Sequence, residues 1–532
     1  MRNIVIVNSE QITNNKYRAL RGEGTSPTGG TGETTPRLRA YPSTEGIGFG
    51  RRTRPAGERR PATPVQPLSP LWRGAASAAG WFPPSRPQTS GYLPRRARQL
   101  LFVICSLLFV LLSSCGRAGA DDLFVLPKQS EEYDQIQRVI DEELRAGATY
   151  SAPSGGNYRQ SVQLRDIDGD GVNEAIAFFA VTAEQSLRIA IFSRDDDGTY
   201  KRVAVIDGDG SGVDSVYYPD MNGDGTLELI IGWKLGSDVK MLAMYSLIDF
   251  APVQLGMADY TVYTLADLTG DGLDDIAAIR HDSANFGGVL TVYSLGKDGE
   301  TTFYSAALSP TIENIQKLAV SPLSEASKTP LALFIEGGWQ TTGLITDIFA
   351  FRGETLANIS ANPKTGISES TGRLANTTCR DINNNGVIDI PLPRVLPGAG
   401  ETVFRALDWY EFNEAGRKTM VLSTFHNTPD GWYLILPTEG RDRVSMRRED
   451  KQGEHALICS WWDNGTAVDF LTIYTLSGEN RAEIALRNNC FTIRVEDEVL
   501  YAGKILGFAG EITEAYIREN FKLIYTDWNN GI

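Results

Sequence analysis

The sequence predicts an all-β chain, a β-propeller of about seven blades, with one amphipathic helix before it and a small C-terminal α+β tail after it. Three observations predict this. A nine-residue acidic turn occurs four times, beginning at Asp166, Asp220, Asp267 and Asp381. Strand-like runs bracket the copies: Val162-Gln163-Leu164 and Ala175-Ile176-Ala177-Phe178-Phe179 around the first, Leu229-Ile230-Ile231-Gly232-Trp233 after the second. The copies start 54, 47 and 114 residues apart, the last interval being two steps of 57. A repeat without acids is therefore expected midway, where Leu318-Ala319-Val320 precedes Leu331-Ala332-Leu333-Phe334-Ile335. A period near 50 with about four strands per repeat is the pattern of radially packed blades. At that period residues 155–480 hold six or seven blades, and seven is the expectation.

The chain has 532 residues and a net charge of −15, unevenly spread. Residues 1–120 carry 17 Lys+Arg against 5 Asp+Glu, whereas residues 121–532 carry 34 against 61, a net of −27. The acidic body argues against nucleic-acid binding, because phosphate contacts need clustered Lys and Arg. Residues 1–94 hold 12 of the 25 prolines and no sustained periodicity, so they bury too little apolar surface to offset chain entropy. They read as a disordered basic extension or an interaction tail. Alternatively they are untranslated, with the start near Leu93 at a non-Met codon, since no Met lies between Met1 and Met221.

Residues 95–115 read as a secretory signal: Arg95-Arg96-Ala97-Arg98, an apolar run from Leu100 to Leu112, then Leu112-Ser113-Ser114-Cys115. The last four residues resemble a bacterial lipobox, which implies that Cys115 receives a lipid and anchors the chain to the membrane. A single membrane-spanning anchor is the other reading. In both, the body is extracytoplasmic. Residues 116–154 hold a linker and a helix from Ser130 to Arg145, with Tyr133, Ile136, Ile140 and Leu144 on one stripe and Gly147 as the stop. Cys379, Cys459 and Cys490 are too few and too scattered for a disulfide framework, so isolated buried thiols are expected, with one pair left open.

The acidic turns carry the chemistry. In nine-residue register the first copy offers Asp166, Asp168 and Asp170 at positions 1, 3 and 5, Val172 at 7 and Glu174 at 9. The second offers Asp220, Asn222, Asp224, Thr226 and Glu228, and the third Asp267, Thr269, Asp271, Leu273 and Asp275. The fourth offers Asp381, Asn383, Asn385, Val387 and Asp389. Every copy has Gly at position 6. Calcium takes six to eight oxygens at about 2.3–2.6 Å, and alternate residues of a tight turn converge. The glycine permits the reversal, the position-7 carbonyl can turn inward, and the position-9 carboxylate closes the shell. Zinc and copper would require His or Cys, which no copy has. EF-hands require Glu at position 12, where these copies have Ala177, Ile231, Ala278 and Leu392. Up to four structural Ca2+ ions are expected. Affinity should fall with carboxylate count: four in the first copy, three in the second and third, two in the fourth. The run Asp207-Gly208-Asp209-Gly210 lacks the position-9 acid and reads as a plain turn.

These D-x-D/N-x-D/N-G-x-x-D/E turns between strands resemble the FG-GAP/VCBS repeats of integrin α-type propellers and of bacterial surface proteins. The resemblance covers residues from about 155 to 400 and implies calcium in loops on one face of a propeller. The helix-then-propeller layout behind a lipobox is also similar to bacterial lipoproteins. After residue 400 the turns cease. There Phe349-Ala350-Phe351, Thr402-Val403-Phe404, Trp409–Phe412 with Met420–Leu422, and Trp432–Leu436 read as hairpin strands. The tail, residues 481–532, reads as strands Ala482–Leu486, Phe491–Val495 and Val499–Ile505, a helix near Ile512–Phe521 and a strand Leu523–Thr526.

Two classes of function follow. One is a calcium-stabilised surface module that binds a protein or a glycan, with Trp339, Trp409, Tyr410, Trp432, Trp461 and Trp462 available to stack on sugars or to pack between blades. The other is a polysaccharide lyase or hydrolase using the axial face, as in some FG-GAP-like enzymes. Its players are not visible. His281, His426 and His455 are the only histidines, and no nucleophile elbow, zinc-protease, Walker or dinucleotide motif occurs.

Overall fold

The computed structural model describes residues 131–181, 186–373, 377–398, 402–507 and 509–524; the basic extension, the signal segment and Cys115 lie outside them. The described chain is mostly β, in six antiparallel sheets of four or five strands. In order along the chain the sheets comprise residues 148–208, 212–260, 262–307, 315–358, 390–436 and 444–505. The fourth is the acid-free repeat expected from spacing, with strands Ile315–Ser321 and Ala332–Trp339.

Strand composition follows position in a sheet. Glu174–Val181 is an almost unbroken apolar run because both its faces are covered, whereas Thr301–Ala307, an edge strand, is largely exposed. Apolar seams join consecutive sheets. Ile176 and Phe178 pack with Ile231 and Trp233, Ile230 and Met244 with Ile276, and Leu290 and Val292 with Leu333 and Ile345. Phe334 and Ile348 then meet Ile390 and Phe412, and Phe425 and Trp432 meet Leu457 and Leu471.

The first and sixth sheets each carry a helix. Helix α1 (Glu131–Arg145) lays Ile136 and Ile140 on Ala177, Phe179 and Phe192 of the first sheet. Glu143 pairs with Arg202, and the Tyr200 hydroxyl donates to Glu132 Oε1 at 3.0 Å. Tyr133, assigned above to the same stripe, is instead exposed at 51%. Helix α2 (Arg481–Arg487) sets Ala485 against Leu476, Leu500 and Ala502 of the sixth sheet. Among the described residues no hydrophobic cluster joins the sixth sheet to the first.

Three local expectations are corrected. Ala482–Leu486 is helix, not strand: Arg481, Ala482, Glu483, Ala485 and Leu486 are all good helix formers, and their propensity outweighs the short alternation. Thr402-Val403-Phe404 is loop, and its strand begins at Arg405. The final strand is Phe521–Leu523, following helix α3 (Glu514–Asn520), and it pairs with Trp432–Leu434 in the fifth sheet. Strands Phe491–Glu496 and Val499–Ile505 complete the sixth sheet, so the tail is woven into sheets five and six. Cys379, Cys459 and Cys490 are unpaired, the first two buried.

Candidate metal centre

The first three acidic turns are tips of antiparallel strand pairs, and the fourth is closed by a single antiparallel bridge. The residue before position 1 faces position 9: Arg165 opposite Glu174, Ala266 opposite Asp275 and Arg380 opposite Asp389. In the second copy Glu228 N donates to Pro219 O at 2.8 Å. The turns also meet one another. Leu227 N donates to Ile167 O at 2.7 Å, linking copies one and two, and a Cβ on Gly169 would lie 2.7 Å from Gly225 O. Leu331 N donates to Asp267 O at 3.0 Å, and Ile388 N to Ser321 Oγ at 3.0 Å, so the fourth sheet's loop bridges copies three and four.

Inside each tip one hydrogen-bond scheme repeats. The position-1 carboxylate accepts backbone N–H groups from both glycines in the first three copies: Asp166 from Gly169 and Gly171, Asp220 from Gly223 and Gly225, Asp267 from Gly270 and Gly272, at 2.7–3.1 Å. Position 4 needs a left-handed backbone, with φ of 76° at Gly169. In the fourth copy Asn384 fills it at φ 60°, and Asp381 accepts from Asn385 and Gly386 instead. The position-5 side chain accepts the position-7 N–H, tying in Val172, Thr226, Leu273 and Val387 at 2.7–2.9 Å. Asp168 and Asn222 each accept the N–H two residues on, at 3.2 and 3.0 Å, and so does Asn383 at 3.2 Å. Thr269 departs from this: its N–H donates to Asp275 Oδ2 at 2.8 Å.

Position 9 is the buried end. Glu174, Glu228, Asp275 and Asp389 are each at most 1% exposed, and each accepts the position-2 N–H at 2.8–3.0 Å, from Ile167, Met221, Leu268 and Ile382. Burial pushes Glu174, Glu228 and Asp389 up to about 7; the hydrogen bond opposes the shift, and neighbouring turn carboxylates add to it. Asp275 is also raised by burial, against a larger set of hydrogen bonds. Four buried acids, three of them facing further acids, are costly without a counter-charge.

The residues of the first copy fit a hard cation. Carboxylate oxygens of Asp166, Asp168 and Glu174 lie within 4.8 Å of one another. Two oxygens on one calcium at about 2.4 Å are separated by at most about 4.8 Å. Asp170 is not part of that group. In the fourth copy Asp389 Oδ1 is buried with no hydrogen-bond partner. The donors are oxygens throughout, the set calcium takes. Sequence reasoning missed two neighbours of the fourth tip: Asn385 Nδ2 donates to Glu325 Oε1 at 2.6 Å and to Glu411 Oε1 at 2.8 Å. Glu411 also helps raise Asp389. They stand 60 and 26 residues from Asn385, and no local pattern marks them.

No family model matches the chain, and no curated protein is found to be similar. Among solved structures it is similar to an exotype rhamnogalacturonan lyase, at 10% identity and TM-score 0.23, over 67% of this chain and 72% of that one. It is also similar to a putative 6-phosphogluconolactonase from Bacteroides fragilis NCTC 9343, at 9% identity and TM-score 0.20, over 60% and 92%. Scores this low bear on neither fold detail nor function.

The histidines form no common site. His281 Nε2 lies 3.0 Å from Ile312 O, and His426 is half-buried, stacked on Tyr433, with its pKa pushed down to about 3 by desolvation. His455 Nδ1 lies 2.8 Å from Asp430 Oδ1.

Proposed function

We propose that this chain is a membrane-tethered, extracytoplasmic β-propeller of the FG-GAP/VCBS type, held together by calcium and acting as a binding module for a protein or glycan. The six sheets are its blades, the lower of the six or seven that a period near 50 allows over residues 155–480. The observation that carries the reading is the repeated tip, in which one hydrogen-bond scheme ends four times on a buried carboxylate. A cation there supplies the missing counter-charge and, by binding the folded chain alone, stabilises it through mass action. The residues that would hold it are Asp166, Asp168, Asp170, Val172 and Glu174 and their counterparts in the other copies. Lipid on Cys115 would provide the membrane tether.

The test is a thermal melt of the purified chain with calcium and with EDTA. The reading expects chelator to lower the melting temperature by several degrees, and Asp168→Ala to shrink the difference. Superimposable melts would count against it.

A further inference from the structure

Copies one and two match bond for bond. Asp166 and Asp220 accept both glycine N–H groups of their own tip, and Asp168 Oδ1 and Asn222 Oδ1 accept the N–H two residues on. Glu174 and Glu228 accept the N–H of Ile167 and Met221 at 2.9 and 2.8 Å. Asp220, Asn222 and Glu228 thus hold the places from which Asp166, Asp168 and Glu174 bring oxygens within 4.8 Å of one another.

The same two tips meet through their backbones. Ile167 O accepts the Leu227 N–H at 2.7 Å, and Gly169 comes so close to Gly225 O that a Cβ would lie 2.7 Å from it. On one side these contacts bracket Asp168, a member of the first oxygen group; on the other they bracket Thr226, the position-7 residue. The Thr226–Leu227 peptide is planar and trans, so its N–H and C=O point in opposite directions. With the N–H on Ile167, the Thr226 carbonyl is turned away from tip one, and among the described residues it accepts no hydrogen bond. A position-7 carbonyl is one of the oxygens that a calcium turn supplies. The next junction lacks this link. A Cβ on Gly223 would meet a side-chain atom of copy three, Leu273 Cδ2, at 3.3 Å, and among the described residues no backbone hydrogen bond joins copies two and three.

An ion that draws Asp166, Asp168 and Glu174 together also orders Ile167 and Gly169, which flank Asp168 in the chain. Whatever fixes these two residues fixes the peptide that carries the Thr226 carbonyl. A second ion then meets this ligand already ordered, and less conformational entropy is lost on binding. By linkage the gain is reciprocal. We infer that tips one and two form one paired cation centre, in which filling either tip raises the affinity of the other through the contacts of Ile167 and Gly169 with Leu227 and Gly225. This rests on the calcium reading and deepens it.

In the full chain, Asp275→Asn and Asp389→Asn remove the position-9 charge from tips three and four, and the metal-stripped protein is titrated with calcium by calorimetry. Adding Glu174→Gln leaves tip two to be read alone, and Glu228→Gln in its place leaves tip one. Each amide keeps an oxygen for the position-2 N–H, so the turns retain their closing bond. With tips one and two both intact, two ions bind with an overall constant about fivefold or more above the product of the two single constants. The excess persists at about 0.5 M salt, where charge effects through solvent are screened. The same cycle on tips two and three, in a Glu174→Gln and Asp389→Asn background, returns the product itself. Calcium bound with no excess in the first pair, or with an equal excess in both pairs, overturns the paired centre and leaves the calcium reading standing. A chain that binds no calcium in any variant overturns both.

Discussion

Replacing Glu174 by Gln should change stability in opposite directions with and without calcium. Burial raises the Glu174 carboxyl from 4.5 to about 7. For an acid raised in the folded state, the folded chain holds its proton where the unfolded chain has lost it. The stabilisation from that proton is fully present below about 4.5 and is lost as pH rises through about 7. At about 1.4 kcal/mol per unit, the ionised carboxylate costs the metal-free protein up to about 3 kcal/mol at pH 8. Gln removes the charge and keeps the local contacts, because its amide oxygen can accept Ile167 N and its NH2 can donate to Ser193 Oγ, 3.2 Å from the present Oε1. The assay is a melt of parent and variant at pH 5 and pH 8, each in EDTA and in millimolar calcium. In EDTA at pH 8 the variant melts higher than the parent, and at pH 5 the gap closes because the parent is protonated. In calcium the order inverts, since a ligand oxygen has lost its charge. A variant destabilised equally in EDTA and in calcium at pH 8 would refute the reasoning.

Other expectations test the neighbouring links. Gly169→Ala puts a methyl group within 2.7 Å of Gly225 O at a residue with φ of 76°, so it should cost about 1–3 kcal/mol by chemical denaturation, with or without calcium. Ile140→Ala removes a residue that is 2% exposed beneath α1; a loss of about 2–4 kcal/mol and faster amide exchange throughout that helix are expected. Cys115→Ser should move the chain from the membrane fraction to the soluble one, followed by immunoblot of the native cell.

The acidic tips were readable from sequence because everything that builds them lies within nine residues. Asp, Asn and Gly are chosen there for turn geometry and oxygen donors, and the position-9 acid falls at a fixed offset. The acid-free fourth repeat was readable for a related reason: its strands, Ile315–Ser321 and Ala332–Trp339, keep the spacing although the acids are gone. What escaped depends on contacts between distant residues. Nothing near Glu325 or Glu411 announces the fourth tip. Arg373 and Glu336, a fully buried ion pair, look like ordinary surface charges in sequence. The helix at Arg481–Arg487 was misread because a period of two over five residues is weak beside strong helix propensity. The number of sheets was open because a period near 50 divides residues 155–480 into six or seven, whereas the described residues form six.

The most direct measurement is a calcium titration of the chelator-stripped full chain by calorimetry, with bound metal counted after dialysis. Saturable uptake of more than one and up to four ions, reduced by Asp168→Ala, is the result that four cation-holding tips require. A chain that retains no calcium after dialysis and gives no heat on titration would contradict it.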